Sequence, residues 1–200
     1  MNNVETGTDL IVISSNAYGS DEVRTSAVMG TFAENKRVYF FEAPIVGVTD
    51  SNTYFLKKEE NGITIIQPYL AGNTSVFERK DALLSLLKEL IHDENISHYT
   101  VWTDTPRAMP LIRNLSAEII IYDCLKDYSV SHVELEKELF QYADVVLTSG
   151  MTKRCPSAPA VKEKRQGGAI LILVPTHEED SETFNSPLNK SMQTFGQALS

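Results

Sequence analysis

Two aspartates four positions apart, Asp123 and Asp127, bracket Cys124 and Lys126 in the stretch YDCLKDYS, residues 122–129. A pair of carboxylates can act as acid and base, or can hold the hydroxyls of a sugar. Lys126 between them favours the ionised state of both, which suits hydrogen bonding better than proton transfer. A plainer reading is equally open: Asp123 orders a turn at a strand end and Asp127 starts the helical region. Four histidines are present, His92, His98, His132 and His177. None lies at i,i+4 from another, so a metal pair on one helix is excluded. His132, at a helix start, is the one placed to serve as a base; a surface role is the commoner one for such a residue. His177 sits in THEEDSE, which reads better as a solvated acidic turn than as a cation site. Cys124 and Cys155 match no zinc spacing, and no histidine arrangement marks Cys124 as a nucleophile.

Such groups need a scaffold, and the hydrophobic pattern supplies one. DLIVISS (Asp9–Ser15), RVYFFEAP (Arg37–Pro44), ITIIQPYL (Ile63–Leu70) and HYTVWTDTP (His98–Pro106) read as buried strands. Glu118–Asp123, Asp144–Gly150 and AILILVP (Ala169–Pro175) read the same way. Pro44 is expected to stop the second strand, and residues 45–62 to form a polar excursion of hairpin type. Between the strands lie helical patterns. Ser20 caps the first, with Asp21 and Glu22 near its positive end and Val23, Ala27, Val28 and Phe32 on one face. Leu83, Leu86, Leu87, Leu90 and Ile91 mark the second. A short helix spans Met109–Leu115. Ser131 and Glu134 open the last as a capping box, followed by Val133, Leu135, Leu139 and Tyr142 on its apolar face. Trp102 and Tyr99 belong to an apolar strand and read as core. Strands alternating with helices predict an α/β layered fold with a mostly parallel sheet and helices on both faces.

In such sheets ligands bind beyond the carboxyl ends of the strands. The loops to inspect are therefore Ser14–Ser20, Glu42–Gly47, Thr103–Arg107, Asp123–Ser129 and Thr148–Thr152. None carries G-x-G-x-x-G, so Glu42 is only a weak match to a ribose carboxylate. No P-loop and no G-x-S-x-G elbow occurs, which argues against an NTPase and an α/β-hydrolase. A net charge of −9 disfavours nucleic acid as a partner. Lys153, Arg154, Lys162, Lys164 and Arg165 cluster within 13 positions of the 200-residue chain. Their functional reading is a phosphate or anionic-lipid patch, and their bland one a solvated loop and helix face. The N-terminus has no signal-peptide pattern and no apolar run is long enough to span a bilayer. With the cysteine usage, a reduced cytoplasmic setting is the simplest inference.

The blocks RVYFFEAP, IIIYDCLKDYS and ELEKELFQYADVVLTSG together resemble the N-terminal half of bacterial GT-B glycosyltransferases. They are most similar to the glycosyltransferase-like proteins sometimes fused to UDP-galactopyranose mutase. The resemblance runs in order over most of Asp9–Pro175 and is most specific over Tyr122–Gly150. In that family the loop commonly has an acid where this chain has Lys126, and the first helix carries Gln-Arg-Pro where this chain has Val-Arg-Thr with Arg24. The resemblance implies one Rossmann-like three-layer half of a GT-B fold over residues 1–176, the acceptor side. Residues 177–200 would be a linker or tail where a donor-binding domain normally begins. It implies transfer of a sugar from a nucleotide-sugar donor to a glycan or lipid-linked acceptor, of the kind used in cell envelope polysaccharides. No cofactor is implied beyond the donor substrate. Tyr18, Arg24, Asp123, Asp127 and Ser149 would line the cleft and hold sugar hydroxyls, with Arg24 countering phosphate. A separate C-terminal half or partner protein is expected, with peripheral inner-membrane contact through the basic cluster. Alternatives are a diverged, non-catalytic binding subunit and another Rossmann-class nucleotide-dependent enzyme.

Overall fold

The sheet is built from strands whose sequences are almost wholly apolar. In the computed structural model β1 (Asp9–Ile13, DLIVI) and β2 (Val38–Phe41, VYFF) are buried at every position. That continuous pattern is what a parallel strand covered on both faces requires. The structure describes residues 8–20, 23–124, 132–149 and 170–174; for 23–27, 148–149 and 170–174 it describes the backbone only. The remaining elements are α1 (Val23–Ala33), β3 (Ile45–Val46), β4 (Thr53–Lys58), β5 (Ile63–Leu70), α2 (Arg79–Asp93) and β6 (Tyr99–Thr103). A 3-10 turn (Pro106–Ala108), α3 (Met109–Ile112), β7 (Ile119–Cys124), α4 (Val133–Tyr142), β8 (Val145–Ser149) and β9 (Ile170–Val174) complete the described chain.

The strands pair in the order β3-β5-β2-β1-β6-β7-β8-β9, with β4 on β5. Every pairing is parallel except β4 with β5. The six central strands, β5-β2-β1-β6-β7-β8, follow the 3-2-1-4-5-6 order of a Rossmann-like sheet, with β9 added beyond β8. The order reverses between β1 and β6, which run side by side from Asp9–Tyr99 to Ile13–Thr103. This reversal is where the sheet opens a crevice at its carboxyl end.

Pro44 interrupts the second strand but does not end its path. β2 pairs with β5 from Val38–Ile63 to Phe41–Ile66, and β3 pairs with β5 at Ile45–Tyr69 and Val46–Leu70. A strand has two edges. β4 covers Thr64–Tyr69 on one of them, so β2 and β3 share the other. The offset changes by one residue across Glu42–Pro44, the signature of a bulge. Proline lacks the ladder N–H, and a bulge tolerates that. Within residues 45–62, β4 is the antiparallel arm of a hairpin whose other arm is β5, and it lies at the sheet edge.

Helices cover both faces. Val28, Met29 and Phe32 of α1 pack on Leu10, Val12, Phe40, Ile63 and Trp102. On the opposite face Leu87 and Leu90 of α2, Met109 and Ile112 of α3, and Leu139 and Phe140 of α4 pack on Ile11, Ile13, Tyr39, Phe41 and Tyr122. Trp102 and Tyr99 are core, as expected. Helix α4 departs from its sequence reading. Its buried residues are Glu136, Leu139 and Phe140, while Tyr142 is 47% exposed. The buried carboxylate is compensated by Tyr122, whose hydroxyl donates to Glu136 Oε1 at 2.9 Å. His132 stands at the N-cap without a side-chain capping bond. Ser131, the expected cap, lies outside the described residues, as do Ser20's proposed companions Asp21 and Glu22. Among the described residues no helix is long and apolar enough to cross a membrane.

Candidate functional site

Where β1 and β6 separate, two short polar side chains bridge the gap. Ser14 follows β1 and Asp104 follows β6, and both are buried. Ser14 Oγ donates to Asp104 Oδ2 at 2.7 Å. The amide of Ser15 and the Nδ2 of Asn16 reach the same carboxylate at 3.4 and 3.5 Å, and the Asn16 amide donates to Ser14 Oγ at 3.1 Å. Beneath them the Thr103 hydroxyl, fully buried, donates to the Ile13 carbonyl at 2.8 Å and accepts from the Thr105 amide at 3.2 Å. The β1–α1 loop is thus tied to the end of β6 by a carboxylate and two hydroxyls. Thr105 also accepts from the Arg107 amide at the start of the 3-10 turn. Arg107 Nε then donates to His132 Nε2 at 3.1 Å, which fixes that nitrogen as the acceptor of the ring.

A second feature adjoins the end of β2. The Tyr18 amide donates to Glu42 Oε1 at 2.7 Å, and the Tyr18 hydroxyl accepts from Asn61 Nδ2 at 2.8 Å. Its ring stands edge-on to Phe40, with centroids 5.3 Å apart. Held at three points, Tyr18 forms one wall of an open groove of about 510 Å³. Glu42, Ile65 and Gln67 contribute from β2 and β5, and Phe55, Lys57 and Glu59 from the hairpin. Lys57 pairs with Glu59 at 2.6 Å. Gln67 Nε2 donates to the Ala43 and Pro68 carbonyls. The groove exists because α1 shields β1, β2 and the start of β5 but leaves the same face of β4 bare.

Of the residues singled out from the sequence, Tyr18 lies at this groove. Asp123 is the penultimate residue of β7, not a loop residue, and is fully buried on the face it shares with Ile121. Arg24 falls on α1 and Ser149 at the end of β8; the side chains of both lie outside the described residues, as does Asp127 altogether. Lys126, Lys153, Arg154, Lys162, Lys164, Arg165 and His177 are outside them too. Cys124 is not the reduced thiol the sequence suggests: it is disulfide-bonded. Its sulfur therefore offers no thiolate, and the cysteine argument for a reducing compartment falls away. Glu136 Oε1 lies 3.9 Å from that sulfur.

The residues missed were Ser14 and Asp104, both inside loops the sequence had flagged. Their signal was a short polar side chain directly after a fully buried strand, on the two strands flanking the reversal. Glu42, weak as a ribose carboxylate, instead anchors the Tyr18 amide. Among the described residues no three His, Cys, Asp or Glu side chains group closely enough to hold a metal ion.

No family model and no curated protein sequence matches the chain. Solved structures do. A sucrose-phosphate synthase from Thermosynechococcus elongatus superposes with a TM-score of 0.58 at 11% identity, covering 96% of this chain and 97% of that one. A trehalose-6-phosphate structure from E. coli, bound with UDP-2-fluoro glucose, superposes at 0.50 with 12% identity. It covers 74% of this chain, which spans only 42% of that one. At these identities the likeness is one of fold: an α/β Rossmann-like domain of the kind found in GT-B glycosyltransferases.

Proposed function

We propose that this domain is the acceptor-side half of a GT-B glycosyltransferase, which transfers a sugar from a nucleotide-sugar donor to a glycan or lipid-linked acceptor. The observation that carries the reading is the Ser14–Asp104 bridge at the strand-order reversal. It places a buried, hydrogen-bonded carboxylate at the position where such sheets bind ligands. Carboxylates positioned by backbone and hydroxyl donors hold sugar hydroxyls without giving up their own charge. The same loops carry no glycine-rich cradle for a pyrophosphate. The nucleotide of the donor therefore belongs to a facing domain, and the acceptor to this one. Tyr18 orders the β1–α1 loop through Glu42 and Asn61. Arg24 is assigned the countering of donor phosphate, and Asp127 and Ser149 the lining of the cleft beyond β7 and β8; Asp123, buried within β7, does not face that cleft. Peripheral attachment to an anionic membrane through Lys153, Arg154, Lys162, Lys164 and Arg165 belongs to the same reading, which suits a cell envelope polysaccharide pathway.

The test is a binding screen on this chain alone, by calorimetry and saturation-transfer NMR. It uses UDP- and GDP-sugars on one side and mono- and oligosaccharides on the other. Saccharide binding that weakens roughly tenfold in Asp104→Asn, without measurable donor binding, is expected for loss of one charge-assisted hydrogen bond. Tight donor binding by the isolated chain would refute the division of labour. Saccharide binding without transfer when the facing half is added would point to a diverged binding subunit.

A further inference from the structure

The groove beside Tyr18 has a chemical character of its own. Phe55 is 61% exposed, yet its ring is not loose: it stands perpendicular to Tyr69 with centroids 5.3 Å apart. Whichever ring presents its edge in such a contact, at least one face of Phe55 stays open. The two polar groups flanking it, Gln67 and Glu42, offer the groove acceptors only. Both hydrogens of the Gln67 amide go to the Ala43 and Pro68 carbonyls, at 2.8 and 3.2 Å, which leaves Oε1. Glu42 uses Oε1 for the Tyr18 amide, which leaves Oε2. A ligand for this groove must therefore bring hydrogen-bond donors and an apolar face. It should carry no negative charge, because Glu42 and Glu59 outnumber Lys57, which Glu59 already holds. That argues against a nucleotide diphosphate. A neutral pyranose meets all three conditions, with a ring face of C–H groups and a rim of hydroxyl donors.

We infer that the hairpin groove is a saccharide subsite, in which Phe55 stacks on a neutral pyranose while Glu42 Oε2 and Gln67 Oε1 accept from its hydroxyls. The inference rests on the acceptor-side reading above and deepens it. The acceptor is then an oligosaccharide that runs from the Ser14–Asp104 crevice onto the free edge of the sheet, rather than a single sugar. Because Phe55 is exposed and on the edge strand, its removal leaves the core untouched.

The probes are the methyl glycosides of glucose and galactose and their β-1,4-linked tetramers, titrated into the full chain with amide shifts recorded. Tetramers are expected to bind roughly tenfold more tightly than the monosaccharides and to shift the amides of Phe55, Gln67 and Glu42. Phe55→Ala should abolish that length advantage and Phe55→Tyr should restore it. Tetramers that bind no better than single sugars, or an unaltered Phe55→Ala, would overturn the groove while leaving the crevice reading in place. Hairpin shifts that persist while Asp104→Asn changes nothing would do the reverse. No saccharide binding at all overturns both.

Discussion

The Ser14–Asp104 bridge makes a quantitative demand on stability. Ser14→Ala removes a 2.7 Å hydrogen bond to a buried carboxylate and a 3.1 Å bond from the Asn16 amide. Hydrogen bonds to charged groups contribute about 1.5–3 kcal/mol net, and neutral ones about 1 kcal/mol. The contacts from the Ser15 amide and Asn16 Nδ2, at 3.4 and 3.5 Å, are too long to take over the lost one. Ser14→Ala should therefore destabilise the domain by about 2.5–4 kcal/mol, a fall in Tm of about 5–16 °C for a chain of this size. Asp104→Asn keeps the shape and lets Ser14 switch to accepting, so it should cost about 1 kcal/mol. The lone tryptophan, Trp102, is fully buried in β6 two positions before Asp104, so urea unfolding followed by its fluorescence reports on this region. In the double variant the coupling should reach about 1 kcal/mol. A coupling below about 0.3 kcal/mol would show that the two groups act independently, and the reasoning about the crevice would fail with it.

Three further outcomes follow from the packing around the site. Arg37 donates from Nε and Nη2 to the two oxygens of buried Asp9, at 2.8 and 2.5 Å, and from Nη1 to the Glu94 carbonyl. Since the guanidinium is half exposed, Arg37→Lys should cost only about 1 kcal/mol by chemical denaturation, and Arg37→Ala more, because it strands the Asp9 carboxylate. Gly47 has φ +85° and lies against Gly72. Gly47→Ala should cost about 1–2 kcal/mol, and Gly72→Ala should be felt as well because its added carbon would meet Gly47 Cα at 3.3 Å. At alkaline pH, burial pushes the Tyr39 and Tyr99 hydroxyls above their usual range, and burial with the Asp93 hydrogen bond pushes Tyr54 up to about 12. A raised folded pKa means that the unfolded chain loses its protons first. Stability should then be full below pH 10 and fall as pH rises towards 12, with these tyrosines ionising late in an ultraviolet titration.

The fold was legible because parallel strands buried on both faces need apolar runs, and the chain supplies them with clear helical spacings between. What escaped has a physical pattern. Pro44 looked like a terminator because a proline removes a ladder bond, but a one-residue bulge absorbs that loss and pairing with β5 resumes at Ile45. Glu136 was not among the apolar positions read for its helix, because charged residues seldom face the core. It does so here because Tyr122, on a strand distant by 14 positions, supplies the compensating hydroxyl. The site followed the same logic. Tyr18, named through the resemblance, lies in a flagged loop and lines the groove. Asp104 could not be ranked, because its significance comes from Ser14, 90 positions away and brought beside it only by the reversal of strand order. Asp123 drew attention as one of a carboxylate pair, yet the register that pairs it with Leu147 buries it inside β7. Sequence spacing identifies which strand ends carry polar groups. Which of those groups meet is decided by topology, and among the described residues Ser14 and Asp104 meet between β1 and β6.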